Sequence, residues 1–361
     1  MKNTIKSDKK SLQKQVAQTA KKEKELSPAE KVYSQAIKEI REFISNIQKA
    51  KTSQKGLTYI SDLVNLIRGG NQEIIALADK STQDAYLYGH CVNVSIFSII
   101  IGDGLKFNVD KLERLGTCAA LKNIGMVRVM DIASKNGSLK KDELEKIKEH
   151  KSFGQEMVRN FLWMSEDLQE LLQGIMDRIE LFKTGPSNSI SSTLSEEYEF
   201  SRIIFVAEVY EAITHARSYR DRFLPYPTLK TMQALMQNNK FEKSLLPHEA
   251  LRTMLYFAVH DFDADIIKVF VDKISLFPPG SFVRLNTDQI AKVVSVNRGM
   301  PSRPTVLPII DAESKRMLNQ HAINLSENQL IFITEPIDET KLKIQDQQWK
   351  EELISSRWWN E

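Results

Sequence analysis

From Asp84 to Asp272 the chain reads as one helix after another, and at Phe277 the pattern changes to short apolar runs broken by turns. That switch constrains the fold more than any other feature. Segments near 84–104, 109–122, 139–150, 152–163, 166–182, 197–217, 228–238, 247–259 and 263–274 are long enough for helices, with apolar residues recurring at helical spacing. Glycine, proline and Ser/Asn clusters separate them, notably the polar loop KTGPSNSISST at Lys183 to Thr193. Beyond Phe277, Val283 and Leu285 lead into a turn at Asn286 to Asp288. Val293, Val294 and Val296, then Thr305 to Ile310 and Gln329 to Thr334, are further strand candidates. The expected fold is mainly α, an all-α bundle followed by a small β module.

Five regions follow from this reading. Residues 1–26 form a lysine-rich arm, 27–83 N-terminal helices, 84–275 the helical domain, 276–335 the β module, and 336–361 a charged tail ending in Trp358-Trp359. Ordered structure should begin at Ser27 to Glu30, where serine caps, proline opens the helix and Glu30 completes a capping box. Behind it Val32, Ala36, Ile37, Ile40, Phe43, Ile44 and Ile47 share one helical face. A second helix over Tyr59 to Arg68 stops at Gly69-Gly70, and a short one follows near Ile74.

Composition narrows the class. Apolar residues make up 42% and charged residues 27% of 361, an ordinary balance for a globular chain. The two cysteines, Cys91 and Cys118, sit in apolar helical contexts, which suits buried thiols in a reducing compartment. No secretory signal is visible, and the apolar run Cys91 to Ile101 is too short to span a bilayer, so the expected location is the cytoplasm with no transmembrane segment. The first 31 residues hold nine lysines against four acids, although the whole chain carries only +3. Such an arm is a solvated tail unless it touches nucleic acid or anionic lipid. The β segments lack interleaved aromatic and basic residues, so a nucleic-acid partner is not expected.

The stretch AALKNIGMVRV, Ala119 to Val129, carries the functional question. Together with YLYGHCVNVSIFS (Tyr86 to Ser98), SLKKDELEKIKEHKSFGQEMV (Ser138 to Val158), RIIFVAEVYEAITHARSYR (Arg202 to Arg220) and LFPPGSFVRL (Leu276 to Leu285), it resembles the HD-GYP family. These are HD-domain metal phosphohydrolases that degrade cyclic di-GMP in bacteria, and the likeness spans about residues 84 to 310. It implies an HD-domain-like helical bundle with a following strand module.

The chemistry of that family uses two metal ions, which clamp the phosphodiester and supply hydroxide near neutral pH. Two ions need about six or more histidine and carboxylate ligands between them. The resemblance puts the first histidine at His90 and a later one at His150. The His-Asp pair is replaced by Lys122 and Asn123, and the following lysine by Met126. The adjacent His-His falls on Ile175 and Met176, just before Asp177-Arg178. The late aspartate becomes Glu208, and the GYP signature has dissolved into Phe182 to Pro186. Two histidines and one carboxylate cannot hold two ions, so neither a metal nor catalytic residues are expected. His215, His248, His260 and His321 fall outside the ligand positions.

Each survivor also has a plain structural reading. His90 can hydrogen-bond inside the core, and His150 can complement the carbonyl end of the charged helix before it. Glu208 sits among Ile204, Val206, Ala207 and Val209, and a buried carboxylate needs a partner. Lys122 is the expected partner, its ammonium replacing the metal's charge while Asn123 adds neutral hydrogen bonds. Arg217 and Arg220 match phosphate-binding positions of the family, although cations at a helix C-terminus are ordinary. The expected function is an inactive HD-GYP-like protein acting by binding, with cyclic di-GMP or a signalling protein as partner. The alternative is a working cyclic di-GMP phosphodiesterase with a rebuilt iron or manganese site.

Overall fold

The computed structural model describes residues 26–50, 55–79, 86–133, 140–182, 195–215, 230, 231, 233, 245–313, 315–318, 320–338, 342, 344 and 349. The arm up to residue 25, the loop at 183–193, Arg217, Arg220 and Trp358-Trp359 lie outside them.

The first helix among the described residues, α1 (Pro28–Ala50), starts where its capping signal stands. Ser27 N donates to a Glu30 carboxylate oxygen at 2.8 Å, and Glu30 N donates to Ser27 Oγ at 3.1 Å. Its apolar face, from Ala36 through Ile47, is buried. Next come α2 (Tyr59–Arg68) and α3 (Glu73–Ala78). The start of α2 is capped from a distance: the buried Glu39 of α1 accepts from Thr58 N, Thr58 Oγ1 and Tyr59 N. Three donors satisfy a carboxylate that burial would otherwise penalise.

The centre of the bundle is α4 (Tyr86–Gly104), apolar on every side as a fully enclosed helix must be. Helices α1, α2, α3 and α5 (Val109–Leu121) pack around it. So do α10 (Glu196–Thr214) and α13 (Ala264–Ile274). Between α5 and α10 the chain forms a 3₁₀ segment (Ile124–Val129) and four helices. These are α6 (Met130–Ala133), α7 (Lys141–Lys148), α8 (His150–Val158) and α9 (Glu166–Phe182). Among the described residues, α11 (Pro247–Tyr256) and α12 (Ala258–Asp261) lead into α13. Among the described residues no helix is long and apolar enough to cross a membrane.

The architecture is mainly α with one small antiparallel sheet, in the order β4-β3-β2-β1-β5. Its strands are β1 (Phe282–Leu285), β2 (Ile290–Ser295), β3 (Thr305–Ile310), β4 (Ile323–Asn324) and β5 (Ile333–Ile337). One face buries Val283, Leu285, Ala291, Val293 and Val306 with Phe277 and Leu325. The other face holds Phe282, Ile309 and Ile310, and it is covered by Leu342 and Trp349 from the charged C-terminal segment.

Sequence and structure part at the last strand. Gln329 to Thr334 alternates like a strand, yet pairing with β1 begins only at Ile333, and Leu330 and Phe332 stay exposed. Asn286 is the reason. Its side chain accepts from Phe332 N and donates to Leu330 O, both at 3.0 Å, which holds this stretch as a turn. The expected helix at 197–217 ends at Thr214, and the one at 139–150 breaks at Glu149 into α7 and α8.

The sheet is fixed to the bundle by several contacts. Val296 N donates to Gln72 Oε1 and Gly299 N to Asp272 Oδ1, both at 2.7 Å. The ring of His248 stacks on Phe277 with centroids 4.6 Å apart.

Candidate functional site: a buried network at the ligand positions

The site is built where α5 ends. Lys122 caps α5 and Asn123 opens the 3₁₀ segment, so both side chains turn toward α4 and α10. Gly125 sets their height. A Cβ added there would lie 1.8 Å from His150 O and 2.5 Å from Gly154 N, so only glycine lets this turn sit directly on the backbone of α8. That contact brings His150 beside Lys122 and Asn123.

Four elements supply a chain of hydrogen bonds. From α4, the buried His90 places Nδ1 2.8 Å from Glu211 Oε2 on α10. Its Nε2 lies 2.7 Å from Asn123 Nδ2. The same amide nitrogen donates to Glu208 Oε1 at 2.8 Å, and the Lys122 ammonium forms an ion pair with Glu208 Oε2. Lys122 and Glu208 are both 7% exposed. Separating two such charges in the interior costs far more than separating them at a surface.

Glu211 was not singled out from the sequence. Glu208 and Glu211 are one helical turn apart within Ile203 to Ile213, where every other residue is apolar or aromatic, and that spacing puts two acids on one buried face. Its charge adds to burial in pushing the neighbouring Cys91 thiol up to about 12. Cys91 and Cys118 are both free and buried, and burial raises Cys118 as well.

The remaining family positions are packing or surface charge. Ile175 and Met176 on α9 are buried in the core, and Met126 is half-buried against it. His150 Nδ1 lies 2.7 Å from Ile147 O, the last turn of α7, so this ring nitrogen serves a helix end. Asp177 binds Lys151 at 3.1 Å and Gln155 at 3.0 Å, while Arg178 pairs with Glu197 at 2.8 Å. His215 Nε2 donates to Ala78 O at 2.7 Å within the core. Above the network, Lys122, Asn123, His150, Lys151, Met176 and Glu180 line a cleft.

The comparisons with known proteins bear on the strand module and on most of the chain. The model described as "KOW domain associated with HD domain" matches residues 282–345, the sheet and Leu342 of its cover. A cyclic di-GMP phosphodiesterase of Pseudomonas aeruginosa is 23% identical over 299 residues, covering 81% of this chain and 66% of its own length. The cyclic di-GMP phosphodiesterase PdeB of Borreliella burgdorferi is 24% identical over 266 residues, covering 68% of this chain and 63% of its own. The chain is an HD-GYP relative. It spans just under two thirds of the length of these two enzymes.

An HD-GYP two-metal centre can be tested against the residues in place. Asn123 Nδ2 lies between the donor atoms of His90 and Glu208, and Lys122 holds the other Glu208 oxygen. Among the described residues no group of three or more His, Cys, Asp or Glu side chains could hold a metal ion. This donor set does not fit a two-metal centre.

Proposed function

We propose that this HD-GYP-like chain acts by binding and not by catalysis, as a sensor of cyclic di-GMP in bacterial signalling. The single observation that carries the reading is the Asn123 amide, bonded at once to His90 Nε2 and Glu208 Oε1. A hydrolase of this class needs those atoms free for metal, because the ions generate the nucleophile and stabilise the leaving oxygen. Lys122 supplies positive charge toward Glu208 without an open coordination position. The relatives named for cyclic di-GMP support the choice of ligand. Arg217 and Arg220 are proposed as phosphate contacts.

Calorimetric titration with cyclic di-GMP, with metal content measured on the same sample, tests this. The expected result is saturable binding, intact nucleotide afterwards and no stoichiometric iron, manganese or zinc. Linear or mononucleotide products that disappear on His150→Ala would overturn the inactive reading. An absence of binding would leave a protein partner as the function of the frame.

A further inference from the structure

We propose that Asn123, and not Lys122, is the residue that shuts a metal ion out of this site. The inference rests on the metal-free reading above but not on the identity of the ligand. Asn123 Nδ2 lies 2.7 Å from His90 Nε2 and 2.8 Å from Glu208 Oε1, so one nitrogen holds the locus a cation bridging those two atoms would take. A first-row ion would sit about 2.0–2.2 Å from each, in the space toward which the two amide hydrogens point. Lys122 meets the other carboxylate oxygen, Oε2.

The orientation of the amide follows from its partners. An amide nitrogen only donates, and it carries two hydrogens, one for each neighbour. Turning the group over would set Oδ1 against the Glu208 carboxylate, lone pair against lone pair. With Nε2 accepting, the imidazole proton lies on Nδ1, where Glu211 Oε2 receives it at 2.8 Å. Two buried carboxylates are thus joined through a histidine and an asparagine, with donors and acceptors matched along the way. An aspartate at 123 would break that match and add a carboxylate oxygen as a third ligand beside His90 Nε2 and Glu208 Oε1.

The test compares wild type, Lys122→His, Asn123→Asp and the double variant, each stripped with chelator and titrated with Mn²⁺. Bound metal is counted and thermal unfolding is followed. Wild type and Lys122→His should take up no stoichiometric Mn²⁺ and show no shift in Tm. Asn123→Asp and the double variant should bind it and gain Tm, and His90→Ala added to either should abolish both effects. If Lys122→His alone binds Mn²⁺ as the double variant does, Lys122 is the excluding residue and the inference is wrong. A double variant that is folded by circular dichroism yet binds nothing also overturns it. Stoichiometric Mn²⁺ on wild type instead overturns the metal-free reading itself. Should the aspartate variants not fold, histidine nitrogen NMR of the wild type decides: a His90 proton on Nδ1 supports the inference, and one on Nε2 sinks it.

Discussion

Lys122 and Glu208 lie 86 residues apart in the chain and form a buried ion pair between the end of α5 and the middle of α10. The pair stands beside the hydrogen-bonded path that runs from His90 on α4 through Asn123 to Glu208 on α10. Removing one partner strands the other, which typically costs on the order of 3–5 kcal/mol. Lys122→Met and Glu208→Gln should each lose stability on that scale in urea titrations. The double variant should recover much of the loss, since neither charge is then unpaired. Two single-variant losses that simply add would show that the pair is not coupled.

Gly125→Ala should be among the most damaging small substitutions in the chain. The new methyl meets backbone and not a movable side chain, so the 3₁₀ segment and α8 must separate. Overpacking of this kind costs about 1–3 kcal/mol, and rigid backbone neighbours put this case at the upper end. A midpoint of urea unfolding unchanged from wild type would refute the close contact.

His248 introduces an acid-side sensitivity. Burial, and then the nearby Arg252, hold its imidazole below the ordinary histidine range, with Glu249 opposing. A depressed value means the unfolded chain binds the proton more readily than the folded one. The contribution is therefore present above about pH 6.5 and is lost as pH falls through the folded value. Because the ring stacks on Phe277, the loss should act on the junction between bundle and sheet. His248→Phe should narrow the difference in stability between about pH 7.5 and about pH 5. An unchanged difference would show that other groups set the acid limb.

Trp349→Ala should uncover the second face of the sheet. Trp349 packs with Phe282, Ile309, Ile310 and Leu342, and the Arg316 guanidinium lies 4.9 Å from its ring centroid. Loss of a large buried aromatic costs on the order of 3 kcal/mol. The expected signs are a lower unfolding midpoint and new binding of a hydrophobic dye. No change in either would mean that this cover is dispensable.

Most of the helical fold was legible because its signals are local. The Ser27/Glu30 box, the Gly69-Gly70 stop and the apolar face of α1 each act within a turn or two. The Lys122–Glu208 partnership could be argued as well, since a carboxylate in an apolar helix demands a counter-charge and Lys122 matched a ligand position. What escaped depends on distant chain. Glu211 required knowing that His90 faces α10. The late start of β5 required the side chain of Asn286, and the cover over the sheet required two apolar residues, Leu342 and Trp349, in a charged stretch. The Asn286 turn and the cover over the sheet leave no periodic trace.

The contact between Gly125 and the backbone of α8 bears on how the cleft could speak to the rest of the molecule. Side chains that meet across a gap can change rotamer and absorb a small push. Here main chain rests on main chain, with no soft layer between. A ligand that shifts Lys151 or His150 would therefore carry the turn holding Asn123 along with it, and through Asn123 would pull on α4 and α10 together. The site would then work as a lever, coupling a surface displacement to two helices that lie deep in the bundle.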